Sequence, residues 1–488
     1  MSFWIDAAVR DALNVGGQRL PVEYTGVGTD SRTIGAGGLF VALVGDRYDG
    51  HAFLADVAKR GAHGAVVSKL TSDRPEGLVY YLVEDTLKAL GQLGLYRRRQ
   101  LDALVCAVTG SNGKTTTKDM LSAVLATKYR VHATSGNYNN RIGTPLTLLA
   151  APDDAQALVV ELGTSLPGEI APLGEIVEPN AAVVTAISEE HLEGLGDLLG
   201  VLKEETSILR SVKPGGFAVV ADEPPQLAEE ARSIMEDPNT VKVAGWTERA
   251  DDDLRARDVR VDARGDVLFN WKEREVHVPL RGRHNARNAM IALGVAEEWG
   301  IEIAKALAAL EALKPAKMRG EMHDYGSLTV IVDCYNSNPA SLASAIDLLE
   351  ALPQKRRRVA VVGSMLELGP GSAELHERAA QQIAEARIDL IVATGEFVRA
   401  FSALQTSLGN RLVVEPDPVA AWELVKTRLH GDEIILLKGS RGVALERLLP
   451  HLEAYGSAPP PRGGPKAGGE ESAHRGAKTA HTAEHFHD

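Results

Sequence analysis

The chain has 488 residues, which corresponds to roughly three domains at ~150 residues each. With 53 Lys and Arg against 66 Asp and Glu, its net charge of -13 argues against a uniformly basic nucleic-acid-binding protein, and we expect no nucleic-acid partner. Its 2 cysteines exclude a disulfide framework and a cysteine-based zinc site. No secretory signal is visible, and no apolar run reaches the ~18–20 residues of a membrane span. We therefore expect a cytoplasmic protein.

The first segment, residues 1–102, consists of short apolar runs separated by turns rich in Gly and Asp. We interpret it as an N-terminal domain. The charged run YRRRQLD at 96–102 closes this segment and is typical of a linker.

The second segment, residues 103–313, alternates apolar runs with helical patterns. The runs are rich in Val and end at Gly, Thr, Ser or Asp, as buried parallel strands do. Their sequences are ALVCAVTG, ALVVELGT, AAVVTAIS and GFAVVADE. This rhythm predicts a domain built on a parallel sheet with crossover helices.

The same alternation of apolar runs and helical patterns occurs again at 314–456, which predicts a second open α/β sheet of Rossmann-like type. The expected strands are LTVIVDCY, RVAVVGSM, IDLIVATG, LVVE and EIILLKGS. Residues 457–488 are dominated by Pro, Gly, Ala and polar residues, so we expect a disordered tail.

The strongest local signal is a loop that follows the first strand of the second segment and opens a helix. It comprises Thr109, Gly110, Ser111, Asn112, Gly113, Lys114, Thr115 and Thr116. Backbone N–H groups at such a helix start bind phosphates, a lysine reaches the β- and γ-phosphates, and a threonine hydroxyl can bind Mg²⁺. The strict phosphate-loop pattern fails because Val108 stands where its first glycine would be. Nucleotide binding is nevertheless the expectation.

Two further residues follow strands of the same predicted sheet. Glu161 ends ALVVE, and His191 follows AAVVTAISEE. Ligands of open α/β sheets gather at the carboxyl ends of the strands, so both side chains are expected near the phosphate loop. For each residue taken singly there is an alternative without function: Glu161 could be a solvated glutamate, and His191 could cap a helix.

Several ordered segments resemble the Mur ligase family. They are TDSRTIGAGGLFVALVGDRYDGH (29–51), TGSNGKTTT (109–117), SGNYNNRIGTPLTLL (135–149), GTSLPGEIAPLGEIVEPNAAVVTAISEEHLEGLG (163–196), GRHNARNAMIAL (282–293), DCYNSNPASLASAI (333–346), VVGSMLELG (361–369) and LLKGSRGVALE (436–446). Within the family, YNSNP and MLELG resemble the member that adds D-alanyl-D-alanine. The resemblance covers the chain up to about residue 450 and implies the three-domain Mur ligase architecture.

The resemblance also implies a reaction. ATP would phosphorylate the terminal carboxylate of UDP-N-acetylmuramoyl-tripeptide, and the amine of D-alanyl-D-alanine would attack the acyl phosphate. Two anions must meet in this reaction, so cations are required, and Mg²⁺ is the expected metal. A monomer is expected.

The same resemblance assigns roles at the phosphates. Thr115 and Glu161 hold Mg²⁺ on the β- and γ-phosphates, and His191 helps to hold a second Mg²⁺. Lys114 stabilises the transferring phosphoryl group.

Further contacts to the three substrates follow from the resemblance. For the nucleotide they are Asn285 at the adenine, Asn288, and Arg319 and Asp333 from the third domain. For the other substrates they are Ser31, Arg32, Thr134, Asn137, Asn139 and Asn140 on the UDP-muramoyl side, and Asn336 and Ser364 on the D-alanyl-D-alanine side. Helix capping is the alternative for Asn285 and Asn288, and a solvated charge is the alternative for Arg319.

One position departs from the family pattern. Most members carry a carbamylated lysine about fourteen residues after the histidine, where this chain has Glu205. We hypothesise that Glu205 supplies that carboxylate directly as a catalytic residue and metal ligand. The alternative is carbamylation of Lys203 after a local shift.

Two other functions stay open from the sequence. A sister amide ligase, such as the third-residue-adding member or a folylpolyglutamate synthase, would share the fold and the chemistry. A nucleotide-binding module without catalysis is the second alternative, supported only by Glu205.

Overall fold

The computed structural model describes residues 4–457 apart from residues 71, 73 and 354. The tail expected to be disordered lies outside the described residues except for Ser457. Among the described residues, no helix combines the length and the apolarity that crossing a bilayer requires.

The first part of the chain contains a small parallel sheet covered by helices. Its elements are β1 (Trp4–Ile5), α1 (Asp6–Leu13), β2 (Glu23–Tyr24), β3 (Val27–Gly28), β4 (Leu39–Val41), β5 (Val44–Gly45), β6 (Tyr48–Asp49), α2 (Leu54–Lys59), β7 (Gly64–Val67), β8 (Val79–Leu82) and α3 (Thr86–Gln100). Four strands form the sheet in the order β3-β4-β7-β8, all parallel.

The second part is built on a six-stranded parallel sheet in the order β10-β11-β9-β12-β13-β14. Its elements are β9 (Leu104–Thr109), α4 (Lys114–Leu125), β10 (Val131–Ala133), α5 (Gly143–Leu149), β11 (Ala157–Glu161), α6 (Ile170–Val177), β12 (Ala181–Val184), α7 (Leu192–Leu195), α8 (Leu198–Thr206), β13 (Phe217–Ala221), α9 (Gln226–Ile234), β14 (Val241–Ala244), β15 (Arg257–Val261), β16 (Asp266–Trp271), β17 (Arg274–Arg281), α10 (His284–Glu298) and α11 (Ile303–Glu311). The four strands predicted here are all present.

The third part is a second open sheet in the order β18-β19-β23-β20-β21-β22. Its elements are β18 (Glu321–Tyr325), β19 (Leu328–Asp333), α12 (Pro339–Ala351), β20 (Arg358–Val362), α13 (Ser372–Glu385), β21 (Leu390–Ala393), α14 (Phe397–Ala400), α15 (Gln405–Leu408), β22 (Leu412–Val414), α16 (Pro418–Val425), β23 (Ile434–Lys438) and α17 (Leu449–Gly456). Only β18 runs antiparallel to its neighbour, so the predicted Rossmann-like architecture is confirmed.

The linker predicted at 96–102 is wrong, because most of this run forms the last turn of α3. Arg98 is buried and donates from Nε to the carbonyl of Val177 at 2.8 Å and from Nη2 to that of Glu178 at 3.0 Å. These carbonyls end α6, where a cation is favourable. Arg97 is also buried and donates to the carbonyl of Ala151 at 2.5 Å. The arginines therefore fasten α3 to the second part of the chain.

An antiparallel sheet, β15-β16-β17, was not predicted. Its inward residues alternate along β16, where Val267, Phe269 and Trp271 are buried in the core of the second part. The sheet leads directly into α10, which carries Asn285 and Asn288.

Sheet register brings the predicted strand ends together. Glu161 at the end of β11 pairs with Val108 of β9, and Val184 at the end of β12 pairs with Thr109. Because β9 lies between β11 and β12, its following loop sits at the switch point of the sheet, where ligands of such folds bind.

Candidate active site

The phosphate loop turns sharply after β9. Gly110 has φ +122°, and a Cβ at this position would lie 2.2 Å from Oγ1 of Thr185. The N–H groups of Ser111 and Asn112 donate to the carbonyl of Ala186 at 3.0 and 3.1 Å, which ties the loop to the end of β12. Only glycine fits at residue 110, and α4 then begins at Lys114.

Lys114 lies within a group of carboxylates. Its Nζ donates to the carbonyl of Gly110 at 2.5 Å and lies 3.9 Å from Oε2 of Glu190. Burial alone would lower the pKa of Lys114, but the charges of Glu190, Glu205 and Glu161 raise it above its ordinary value. The side chain is therefore a fixed ammonium at the phosphate loop.

Glu161 offers one oxygen for a cation. Its Oε1 accepts hydrogen bonds from Thr115 Oγ1 at 3.3 Å and Asn139 Nδ2 at 3.0 Å. Its Oε2 is buried and has no hydrogen-bond partner among the described residues. A buried carboxylate oxygen without a donor is costly unless a cation approaches it. With the Thr115 hydroxyl beside it, this oxygen fits a hard ion such as Mg²⁺.

His191 connects the second and third parts of the chain. Its backbone lies in the left-handed region, with φ +54°. Its Nδ1 is 2.5 Å from Oε2 of Glu367, in the loop after β20. Its Nε2 is 3.7 Å from Oε1 of Glu190.

Two asparagines project from the first turns of α10. Asn288 donates from Nδ2 to Oδ1 of Asn285 at 3.0 Å, and Asn285 donates from Nδ2 to the carbonyl of Arg281 at 2.8 Å. Both are 4% exposed, so they are preorganised by the protein. Neither caps α10, whose first turn has no side-chain cap.

The third sheet contributes residues from the ends of β19 and β23. Asp333 and Lys438 are in register there, and Asp333 Oδ2 lies 3.4 Å from Lys438 Nζ. The Arg319 guanidinium lies over the Tyr335 ring at 4.2 Å from its centroid. Asn336 donates from Nδ2 to Glu190 Oε1 at 2.8 Å.

These groups surround one cavity of about 720 Å³ between the second and third parts. The predicted site residues that line it are Ser111, Asn112, Gly113, Lys114, Thr115, Thr116, Asn137, Asn139, Asn140, Glu161, His191, Asn285, Asn288, Arg319, Asp333 and Asn336. The volume and polar lining suit a nucleotide together with a second polar substrate.

Comparison with known proteins identifies the family. Family models described as "Mur ligase family, catalytic domain", "Mur ligase middle domain" and "Mur ligase, glutamate ligase domain" match residues 23–95, 108–296 and 318–441. The UDP-N-acetylmuramoyl-tripeptide--D-alanyl-D-alanine ligase of Bacillus subtilis (strain 168) is 35% identical over 434 residues, covering 88% of this chain and 93% of that protein. The chain belongs to the Mur ligase family.

Solved structures agree with this membership. A crystal structure of MurF from Acinetobacter baumannii has a TM-score of 0.83 and 31% identity, covering 92% of this chain and 99% of that one. The MurF ligase of Thermotoga maritima in complex with ADP has a TM-score of 0.77 and 26% identity, covering 88% and 97%. The predicted three-domain Mur ligase architecture is therefore confirmed.

Glu205 does not lie on the cavity wall of this Mur ligase. It is 2% exposed beneath the phosphate loop, where its Oε2 accepts from the Gly110 N–H at 3.0 Å and from the Thr109 hydroxyl. Burial raises the pKa of Glu205, opposed first by the charge of Lys114. Two protein donors share this oxygen, and Glu205 therefore lies apart from the cavity residues Thr115, Glu161 and His191 with which it was predicted to bind metal. Lys203, which is exposed, and the loop residues Thr109 and Gly110 do not line the cavity either.

Outside the phosphate loop, four other predicted residues do not line the cavity. Thr134 is buried and its Oγ1 accepts from the Glu161 N–H at 3.0 Å, so it supports a site residue. Ser364 is buried, and its Oγ accepts from the N–H of Glu396 at 2.9 Å, between two loops of the third part. Ser31 and Arg32 lie after β3 in the first part of the chain, where Arg32 is exposed.

Glu190 and Lys438 were not predicted from the sequence. Glu190 is 7% exposed, lines the cavity and leaves Oε2 without a hydrogen-bond partner among the described residues. Lys438 is 1% exposed and donates to the carbonyl of Asn336 at 2.5 Å. Lys438 was detectable as the charged end of the predicted strand EIILLKGS. Glu190 was detectable only by its place beside His191.

Proposed function

We propose that this chain is an ATP-dependent ligase that joins D-alanyl-D-alanine to UDP-N-acetylmuramoyl-tripeptide in peptidoglycan precursor synthesis. The observation that carries the proposal is one cavity that joins a phosphate loop, the unpartnered Glu161 oxygen and polar residues of the third sheet. The named activity of the Bacillus subtilis relative supplies the substrates.

The resemblance to the Mur ligase family supplies the proposed reaction. The terminal carboxylate of the tripeptide attacks the γ-phosphorus of ATP, which releases ADP and forms an acyl phosphate. The neutral amine of D-alanyl-D-alanine then attacks the acyl carbon, and the tetrahedral intermediate loses inorganic phosphate and a proton to give the amide. The Lys114 ammonium stabilises negative charge on the phosphoryl group during transfer.

The metal assignments rest on the donor set. Thr115 and Glu161 would hold Mg²⁺ at the β- and γ-phosphates. His191, which follows β12 on the other side of β9, would hold a second ion. Bound Mg²⁺ would neutralise phosphate charge and so let the carboxylate approach. The Asn139 amide orients the Glu161 carboxylate toward the cavity.

We propose a supporting role for Glu205 in place of metal ligation. Its carboxylate fixes the start of the phosphate loop through Thr109 and Gly110. Its charge also favours the ammonium form of Lys114. A carbamylated Lys203 does not fit this role because its side chain is exposed.

The remaining contacts divide between the substrates. For the nucleotide we propose Asn285, Asn288, Arg319 and Asp333, with Ser111, Asn112, Gly113 and Thr116 of the phosphate loop. For the UDP-muramoyl substrate we propose Ser31, Arg32, Asn137, Asn139 and Asn140, with Thr134 acting through Glu161. For D-alanyl-D-alanine we propose Asn336, with Ser364 supporting its loop.

We also propose the domain limits 1–102, 103–313 and 314–456. Because ATP and a UDP-linked precursor are cytoplasmic metabolites, we place the enzyme in the cytoplasm. The two parts that line the cavity belong to one chain, so we propose that the monomer is active.

The deciding experiment measures phosphate release from ATP with Mg²⁺, D-alanyl-D-alanine and UDP-muramoyl tripeptide. Tripeptides ending in meso-diaminopimelate or lysine are tested separately, and the pentapeptide product is confirmed by mass. Release that requires both substrates is expected. Release with another amine acceptor instead would indicate a sister ligase, and nucleotide binding without release would indicate a module that does not catalyse.

A matched pair of variants tests the site assignment in the same assay. Lys114→Met removes the ammonium at similar volume, and activity should fall at least about 100-fold. Lys203→Met makes the same change at an exposed position and should retain activity. Loss of activity in Lys203→Met would instead support its carbamylation.

A further inference from the structure

The contact between His191 and Glu367 joins two loops that each contain a disfavoured backbone. His191 has φ +54° and Glu367 has φ +65°, although neither is glycine. Non-glycine residues adopt this region only where the surrounding structure holds them. The two side chains meet with Nδ1 and Oε2 2.5 Å apart.

The backbones of the two loops also touch. The N–H of Glu193 donates to the carbonyl of Glu367 at 3.2 Å. A Cβ at Gly369 would lie 3.0 Å from both N and Cα of Glu193, so glycine permits this approach. These contacts therefore fix the position of the loop after β20 beside His191.

The geometry sets which nitrogen of His191 carries hydrogen. An ionised carboxylate can only accept, so Nδ1 carries the hydrogen in this contact. In the neutral imidazole, which is the form that binds metal, the lone pair is then on Nε2, the nitrogen 3.7 Å from Glu190 Oε1 on the cavity wall. A histidine that binds metal through one nitrogen is commonly fixed in this way by a carboxylate on the other.

We propose that Glu367 is a positioning residue that presents Nε2 of His191 to a divalent cation only when the third part of the chain is docked. The inference rests on the proposed role of His191 as a metal ligand. Docking and cation binding then stabilise each other reciprocally, since one contact belongs to both events. The second cation site is thereby completed by domain closure.

The test measures Mn²⁺ binding by electron paramagnetic resonance of free Mn²⁺, with the full chain and a non-hydrolysable ATP analogue. Glu367→Ala should weaken one bound Mn²⁺ about 10- to 100-fold. Glu367→Gln keeps an oxygen that can accept the Nδ1 hydrogen and should restore most of this affinity. His191→Ala should weaken the same ion, and adding Glu367→Ala to it should have little further effect.

Arg378→Ala is the matched control for simple adhesion between the two parts. Arg378 pairs with Glu189 at 2.7 Å across the same boundary but does not contact His191. Because this ion pair is largely exposed, it contributes little to docking, and its removal should leave Mn²⁺ binding nearly unchanged. Binding of the analogue without metal should stay the same in all variants, which verifies that they fold.

The outcomes separate the two ideas. If His191→Ala weakens Mn²⁺ binding and Glu367→Ala does not, the positioning role is wrong and the metal assignment stands. Equal weakening by Arg378→Ala and Glu367→Ala would reduce Glu367 to a docking contact and overturn the inference. If His191→Ala has no effect, the metal assignment fails and the inference fails with it.

Discussion

Asn112 of the phosphate loop and Asn338 at the start of α12 exchange two side-chain hydrogen bonds. Asn112 Nδ2 donates to Asn338 Oδ1 at 3.3 Å, and Asn338 Nδ2 donates to Asn112 Oδ1 at 3.0 Å. The same Asn338 oxygen accepts from the Ser341 N–H at 2.9 Å and caps α12. The Asn338 side chain therefore caps α12 of the third part and also holds the loop that is expected to bind phosphates.

Asn338→Ser should separate these two roles. Serine caps helices about as well as asparagine, so the cap itself should change stability by less than about 0.5 kcal/mol, and loss of the two amide bonds should cost about 0.5–1.5 kcal/mol each. Because the amide pair is lost, affinity for a non-hydrolysable ATP analogue should fall several-fold by calorimetry. Asn338→Ala is the comparison, because it also removes the cap and should cost about 1 kcal/mol more than Asn338→Ser. Wild-type affinity in Asn338→Ser would mean that the pair does not support nucleotide binding.

Glu161→Gln should separate activity from stability. The amide oxygen can still accept from Thr115 and Asn139, and a neutral amide is buried at lower cost than a carboxylate whose Oε2 has no donor. The attraction between this carboxylate and the Lys114 ammonium is lost in exchange, so the melting temperature should stay close to that of the wild type. Phosphate release should fall at least about 100-fold, because a cation would lose its carboxylate ligand. Activity within a few-fold of wild type would remove Glu161 from the metal site.

Two substitutions at Glu205 distinguish its hydrogen bonds from its charge. Glu205→Ala leaves the Thr109 hydroxyl and the Gly110 N–H buried without their acceptor, which should cost about 1–3 kcal/mol. Glu205→Gln keeps an acceptor and removes the charge near Lys114. We expect Glu205→Gln to melt like wild type and to lose phosphate-release activity. Full activity would show that the charge is dispensable.

The parallel strands were predictable because they are buried on both faces. β9 and β11 are continuous apolar runs, which a local pattern reveals. The β15-β16-β17 sheet was missed because its strands face solvent on one side, so polar residues interrupt every apolar run. Alternation at Val267, Phe269 and Trp271 was the available signal.

Sheet topology alone predicted the site only where it depends on one sheet, whereas Arg319 and Asp333 of the third part came from the family resemblance. Glu161 and His191 follow parallel strands, so topology alone brings them to the phosphate loop. The contacts of Glu190 with Asn336 and of His191 with Glu367 depend on how two sheets are placed against each other. No local spacing encodes that placement. The arginines of α3 were wrongly interpreted as part of a linker for the same reason. Their hydrogen-bond acceptors are carbonyls distant in sequence, at the ends of α5 and α6.

Gly110→Ala tests the close approach of the phosphate loop to β12. The new methyl group would lie 2.2 Å from Oγ1 of Thr185, and φ +122° is unfavourable for alanine. We expect the loop to shift and binding of the ATP analogue to be lost. Gly136→Ala is the control, because it adds a methyl group at φ +57° with nothing within 4 Å. It should bind the analogue nearly as well as wild type. Binding retained by Gly110→Ala would contradict a glycine requirement at this turn.

Asp6 should make the stability of the first sheet depend on pH. Its buried carboxylate accepts from the Leu20 N–H at 2.9 Å, the Tyr81 hydroxyl at 2.7 Å and Arg10 Nε at 2.9 Å. Burial would raise the pKa of Asp6, but these donors together lower it below its ordinary value. Its stabilising contribution is therefore complete above the unfolded-state pKa of about 3.9 and is lost as pH falls below that value through the folded pKa.

Asp6→Asn should remove this part of the pH dependence and cost about 2–4 kcal/mol at neutral pH, because its amide nitrogen cannot accept a hydrogen bond. Hydrogen exchange read by mass spectrometry on peptides of the first sheet measures the local opening free energy without a whole-chain transition. Asp11→Asn changes an exposed acid on the same helix, paired with Arg19 at 3.2 Å, and should cost less than about 0.5 kcal/mol. An equal acid response in wild type and Asp6→Asn would assign it to other carboxylates.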